Sequence, residues 1–168
     1  MQILTLENEG LRQKALPIKK ISSEYEKIAE ELINVLHKED GIGLAGPQIG
    51  LFERIFAVHV QGDIPRVFIN PSIMETSQET TNFEEGCLSI PGMYTDVIRP
   101  KTVKIQAWNE KGRPFILEAA GILARVILHE YDHLEGVLFI DRVSEQKRNS
   151  ILAKFEKAQN KAAKNKKL

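Results

Sequence analysis

Residues 129–133 read His-Glu-Tyr-Asp-His, and Ile122, Leu123, Val126 and Ile127 precede them at helical spacing. No other stretch constrains the fold as tightly. On a helix, His129 and His133 are four residues apart and share one face, with Glu130 flanking them. The apolar run asks for that helix to be buried, and Gly136 is placed to stop it. Two imidazoles and a carboxylate are costly to bury unless one partner satisfies all three, and a metal ion does so. The rest of the chain must therefore wrap around a central helix and bring further donors to it.

The third protein ligand decides the chemistry. One metallopeptidase class continues the pattern with x-x-Gly-x-x-His; here Gly136 falls in place but Phe139 stands where the last histidine belongs. Another class takes a downstream glutamate, but Glu145 and Glu156 lie in a lysine-rich, solvated segment. Cys87, the only cysteine, is the better donor. It sits in Glu85-Gly86-Cys87-Leu88-Ser89; a thiolate binds zinc or ferrous iron strongly, and Gly86 lets backbone approach a metal or substrate closely. One thiolate and two imidazoles leave a fourth position for water, which marks a catalytic site rather than a structural one. Asp132 and Arg99 are candidates to steady these ligands from behind.

Gly41-x-Gly43-x-x-Gly46 spells a dinucleotide-binding fingerprint. Its context is wrong: a helix precedes it and Pro47 follows, where the fingerprint needs a strand before and a helix after. A glycine-rich turn that presents Gln48 to a site is the better reading.

At 168 residues the chain is expected to form one domain, large enough to bury a metal site without disulfides. Ser23 to about His37 reads as a helix, with Ser23 and Glu26 at capping-box spacing and Tyr25, Ile28, Leu32, Val35 and Leu36 on its apolar face. Short β-prone runs follow at Arg54–Val60, Val67–Asn70, Phe83–Cys87, Val97, Thr102–Asn109 and Pro114–Leu117. After the histidine helix, Val137–Ile140 reads as a short strand and a last helix starts near Ser144. The expected class is α+β, a mostly antiparallel β-sheet around a central metal-binding helix, with an N-terminal and a C-terminal helix.

Three separated segments, Gly41-Ile42-Gly43-Leu44-Ala45-Gly46-Pro47-Gln48, Glu85-Gly86-Cys87-Leu88-Ser89 and His129-Glu130-Tyr131-Asp132-His133, occur in an order and spacing that resemble peptide deformylase. The resemblance runs from the amino-terminal helix to about Arg142. It implies a hydrolase that removes the formyl group from the N-terminal formyl-methionine of nascent polypeptides. It further implies that Cys87, His129 and His133 hold one divalent metal ion. Glu130 is then the general acid-base, and the Gln48 amide and the Leu88 N–H are the oxyanion donors. Gly43, Glu85, Gly86 and Val126 are the implied substrate-binding residues. Thiolate-imidazole ligation suits both Fe2+ and Zn2+; affinity order favours zinc, and the resemblance implies iron. A His-Glu-x-x-His metallopeptidase cleaving internal peptide bonds is the alternative. The chain departs from the family at Gly46, where alanine is usual, and at Leu128, where glutamine is frequent.

Lys+Arg and Asp+Glu both number 23, so net charge calls for no DNA or other polyanion. The charge is nevertheless divided. From Ser144 onward eight basic residues face two acidic ones, so this tail carries +6 and the remainder −6. Ile151, Leu152, Phe155, Ala158 and Ala162 form a narrow apolar stripe along it. The resemblance makes the ribosome the natural polyanion for this tail. One cysteine allows no internal disulfide, and no segment reads as a secretory leader or a membrane span. The expected location is cytoplasmic.

Overall fold

The computed structural model describes residues 1–167. Its helices are α1 (Glu24–Lys38), α2 (Gly121–Leu134) and α3 (Glu145–Asn165). Its strands are β1 (Gly43–Ala45), β2 (Ile55–Val58), β3 (Arg66–Thr76), β4 (Thr80–Cys87), β5 (Ile90–Pro100), β6 (Thr102–Trp108) and β7 (Pro114–Ala120). Five of them form an antiparallel sheet in the order β1-β2-β3-β6-β7, and β4 and β5 form a separate hairpin. This is the α+β arrangement that the pattern of elements predicts.

Strand β2 explains how the layers stack. All four of its residues are buried, because both faces of the sheet are covered. Ile55 and Ala57 point toward Ala29, Leu32, Val35 and Leu36 of α1. Phe56 and Val58 point the other way, toward Ala124, Val126, Ile127 and Leu128 of α2. A third cluster joins Ile90 and Val97 of the hairpin to Phe139, Ile140 and, from α3, Ile151 and Phe155. Helix α2 is the element that all of this encloses, with ten of its fourteen residues buried. It stops as the sequence predicts: Gly136 has φ 72°, and a β-carbon there would lie 2.4 Å from the Arg12 carbonyl oxygen. Only glycine fits that position.

Several sequence expectations need correction. Val137–Ile140 is not a strand; residues Phe139–Arg142 form a 3-10 turn, closed by the Asp141 carboxylate accepting from the Leu138 N–H at 2.9 Å. The Ser23–Glu26 capping box does not form. Ser23 is already in the helical region and its hydroxyl makes no cap hydrogen bond; the Tyr25 N–H is taken by the Ser22 carbonyl instead. Gly43–Ala45 is an edge strand paired with β2 rather than a plain turn, and a 3-10 turn over Gly46–Ile49 follows it. Strands β3 and β5 each run eleven residues, well beyond the apolar runs that marked them. The apolar stripe of α3 docks through Ile151 and Phe155, whereas Ala158 and Ala162 are exposed. Burying those two side chains stabilises the docking by roughly 1.5–3 kcal/mol each.

Candidate active site

Strand β4 pairs regularly with β5 through Gly86 and Tyr94, then shifts register so that Cys87 lies opposite Ile90. Such an irregularity re-aims a side chain, and here it brings the Cys87 sulfur to 3.3 Å from His133 Nε2. One donor atom each from Cys87, His129 and His133 lie within 4.8 Å of one another. The His129 Nδ1–H donates to Glu85 at 2.8 Å, which leaves Nε2 as the ring nitrogen available to a metal. A thiolate and two imidazoles, one of them oriented by a carboxylate, suit zinc or ferrous iron. The donor set therefore fits a catalytic metal.

Behind the ligands lies a buried ionic network. Glu85 accepts from Arg99 Nε at 2.7 Å and Nη2 at 3.0 Å, and from Arg125 Nη1 at 2.6 Å. Arg99 also donates to Asp132 at 2.9 Å, and Arg142 grips the same carboxylate at 2.7 and 3.0 Å. Arg99 and Asp132 are thus paired directly. Burial raises the Glu85 carboxyl, but hydrogen bonds from His129 and Arg99 outweigh it and hold the group at about 2. Burial likewise pulls His129 down, while Cys87 and Glu85 push it up to about 10. Burial, helped by a charge on His129, keeps His133 well below the ordinary imidazole range. The same surroundings keep His133 neutral.

Glu130 stands apart from this network. Its Oε2 is buried without a hydrogen-bond partner among the described residues, as is His133 Nδ1. Burial is the main cause that raises its carboxyl, to about 7. A carboxylate near neutrality with a free oxygen is equipped to carry protons.

Gln48 is fixed by accepting from the Ala45 N–H at 2.9 Å. Its amide nitrogen consequently faces Ser89 Oγ at 3.1 Å and Cys87 Sγ at 3.5 Å. Gly43, Gln48, Gly86, Leu88, Val126 and Glu130 line one cavity of about 480 Å³, together with Cys87 and His129. Glu85 borders it too, but a substrate-binding role for its carboxylate is not what the structure offers, because both oxygens are taken by Arg99, Arg125 and His129. Glu145 and Glu156 are exposed on α3, consistent with their dismissal as ligands.

Arg125 and Ser89 were missed by the sequence reasoning. Arg125 is buried and, besides Glu85, donates to the Val97 carbonyl at 2.8 Å and to Thr81 at 2.9 and 3.0 Å. Its signal was present: a charged residue inside an apolar run, four positions before His129 on the same face. Ser89 gave none. The two departures from the family pattern also find their places. Leu128 belongs to the core beneath the five-stranded sheet. Gly46 is buried where a β-carbon would lie 2.7 Å from the Leu51 carbonyl oxygen.

Comparison with known proteins gives the family and the fold. The polypeptide deformylase family model matches residues 1–149. A peptide deformylase of Clostridium botulinum is 47% identical over 136 residues, covering 81% of this chain and 91% of that protein. One from Neisseria meningitidis is 42% identical over 161 residues, covering 95% and 96%. Among solved structures, a peptide deformylase from Synechococcus elongatus in complex with actinonin superposes with a TM-score of 0.88 at 40% identity, covering 93% of this chain and 86% of that one. One from Legionella pneumophila gives 0.89 at 34% identity, covering 96% of each.

Proposed function

The chain belongs to the polypeptide deformylase family, and from that premise we propose how its pocket carries out the family's reaction. The protein is a metal-dependent hydrolase that removes the formyl group from the N-terminal formyl-methionine of new polypeptides and releases formate. The metallopeptidase alternative is set aside.

The observation that carries the residue assignment is the convergence of Cys87, His129 and His133 beside a buried Glu130 oxygen that has no other partner. In our reading these three hold one divalent ion, Fe2+ in the cell, with Zn2+ able to take its place. When bound, the metal supplies Lewis acidity and a water acidified toward neutrality. Glu130, buried beside the ligands with a free oxygen, would accept the proton of the attacking water and pass it to the departing amine. Gln48 turns the amide hydrogen that faces Cys87 toward the developing oxyanion, and the Leu88 N–H joins it. Gly43, Gly86 and Val126 line the wall against which the formyl-methionyl end rests. Arg99 and Asp132, with Glu85, hold His129 in its orientation.

We read the chain as a single catalytic domain with the basic α3 at its end, acting in the cytoplasm. No helix among the described residues is long and apolar enough to cross a membrane. The lysines of α3 are the surface through which the enzyme would meet the ribosome.

The test is anaerobic purification with metal analysis, followed by rates on formyl-Met, acetyl-Met and unblocked peptides. Formate release from the formylated peptide should far outpace deacetylation. Comparable rates, or cleavage of an internal bond, would overturn the reading.

A further inference from the structure

His37, in the last turn of α1, and His59, just after β2, meet at the surface, and neither lines the catalytic cavity. His37 Nε2 and His59 Nδ1 are 2.7 Å apart, with ring centroids 5.0 Å apart. We propose that this pair is a second metal site, one that takes a nitrogen-preferring divalent ion of the Ni2+ or Cu2+ type.

Three observations support it. First, His59 is already held as a ligand would be. Its Nε2–H donates to the Asp63 carbonyl at 3.0 Å and its backbone N–H to the Ile42 carbonyl at 2.9 Å. A backbone carbonyl on the far ring nitrogen is the usual support of a ligating histidine, and it leaves the Nδ1 lone pair pointing at His37. Second, the Asp63 carboxylate is occupied by Arg66, through bonds of 2.9 Å, so it does not compete for the His59 ring. Third, His37 lies at a helix C-terminus, where the backbone dipole favours a cation.

The spacing selects the ion. With metal–nitrogen bonds of about 2.0–2.1 Å, two ligands at a right angle stand roughly 2.9 Å apart, which the exposed His37 and half-buried His59 reach by opening a few tenths of an ångström. A tetrahedral ion would need a wider opening, so square or octahedral metals suit the pair better. On binding, His37 moves its proton from Nε2 to Nδ1 and the ion replaces the hydrogen bond, with water completing the coordination. The ion would then tie the end of α1 to the end of β2. Between those points in the chain lie Gly41 and Gly43, which line the catalytic cavity.

The experiment titrates NiCl2 into zinc-loaded protein, with calorimetry, metal analysis and the imidazole NMR signals as readouts. One nickel should bind without displacing zinc, broadening His37 and His59 first and raising the melting temperature. His37→Ala or His59→Ala should weaken that event by about tenfold or more; formate release in the absence of nickel should not change. A stoichiometry accounted for by zinc exchange alone, or nickel binding that survives both substitutions, would overturn the assignment and leave the pair as a hydrogen bond.

Discussion

Gly43 and Glu130 are fitted to each other: a β-carbon on Gly43 would lie 2.3 Å from Glu130 Oε1 and 2.8 Å from Val126 Cγ1. The glycine is therefore the space in which the carboxylate sits. Gly43→Ala should displace Glu130 while leaving Cys87, His129 and His133 alone. Metal content should stay stoichiometric and turnover should fall toward that of Glu130→Gln, a loss of about 10² to 10⁴-fold. Normal formate release by Gly43→Ala would mean that the carboxylate works from somewhere else.

Cys87→Ala should fold and lose its metal, as measured by metal analysis after anaerobic purification. Glu145→Gln and Glu156→Gln, both on the exposed face of α3, should change nothing. Prolonged dialysis of the native protein against a chelator should abolish turnover, and ferrous iron should restore it. Full metal content in Cys87→Ala would return a glutamate to the ligand set.

Glu85 and Arg125 bind the hairpin to α2. Glu85→Gln keeps the shape but removes the charge between Arg99 and Arg125, and breaking a buried pair in this way typically costs about 3–5 kcal/mol. The His129 ring also loses its carboxylate, for which metal affinity should drop by about 10–100-fold. Denaturant unfolding and chelator competition measure the two effects. A variant with native stability and metal affinity but a raised KM would instead make Glu85 a substrate contact.

Removing everything after Gln159 deletes Lys161, Lys164, Lys166 and Lys167 while sparing the buried Ile151 and Phe155. Turnover on a short formylated peptide should persist. Co-sedimentation with ribosomes should fall, and for the full chain it should weaken steeply with salt as condensed counterions are released. Salt-independent co-sedimentation of both forms would discard the tether.

What the sequence made legible was local. His129, Glu130 and His133 declare their geometry by spacing alone, and Cys87 was reached by weighing donor chemistry. The ionic network was not legible in the same way. Glu85 adjoins Cys87 in the chain, but Arg99 and Arg125 reach it only after β4 folds onto β5 and the hairpin meets α2. Strand lengths failed for a related reason: β3 continues through exposed Met74 and Glu75 to Thr76 because β6 supplies hydrogen-bond partners there, not because the residues are apolar. At Val137–Ile140 the apolar pattern was right and the conformation wrong. A short buried run does not choose its own backbone, and Asp141 chose a turn.

Helix α3 is anchored no further along than Phe155, yet continues to Asn165. The ten residues from Glu156 to Asn165 extend about 15 Å at the helical rise of 1.5 Å per residue, whereas charges in physiological salt are screened over about 8 Å. Measured along the helix, Lys161 and Lys164 stand about 9 and 14 Å past Phe155, farther from the docked turns than that screening length. A chain whose charges cancel on paper thus carries its positive charge at one end, and that end is the part a polyanion would meet first.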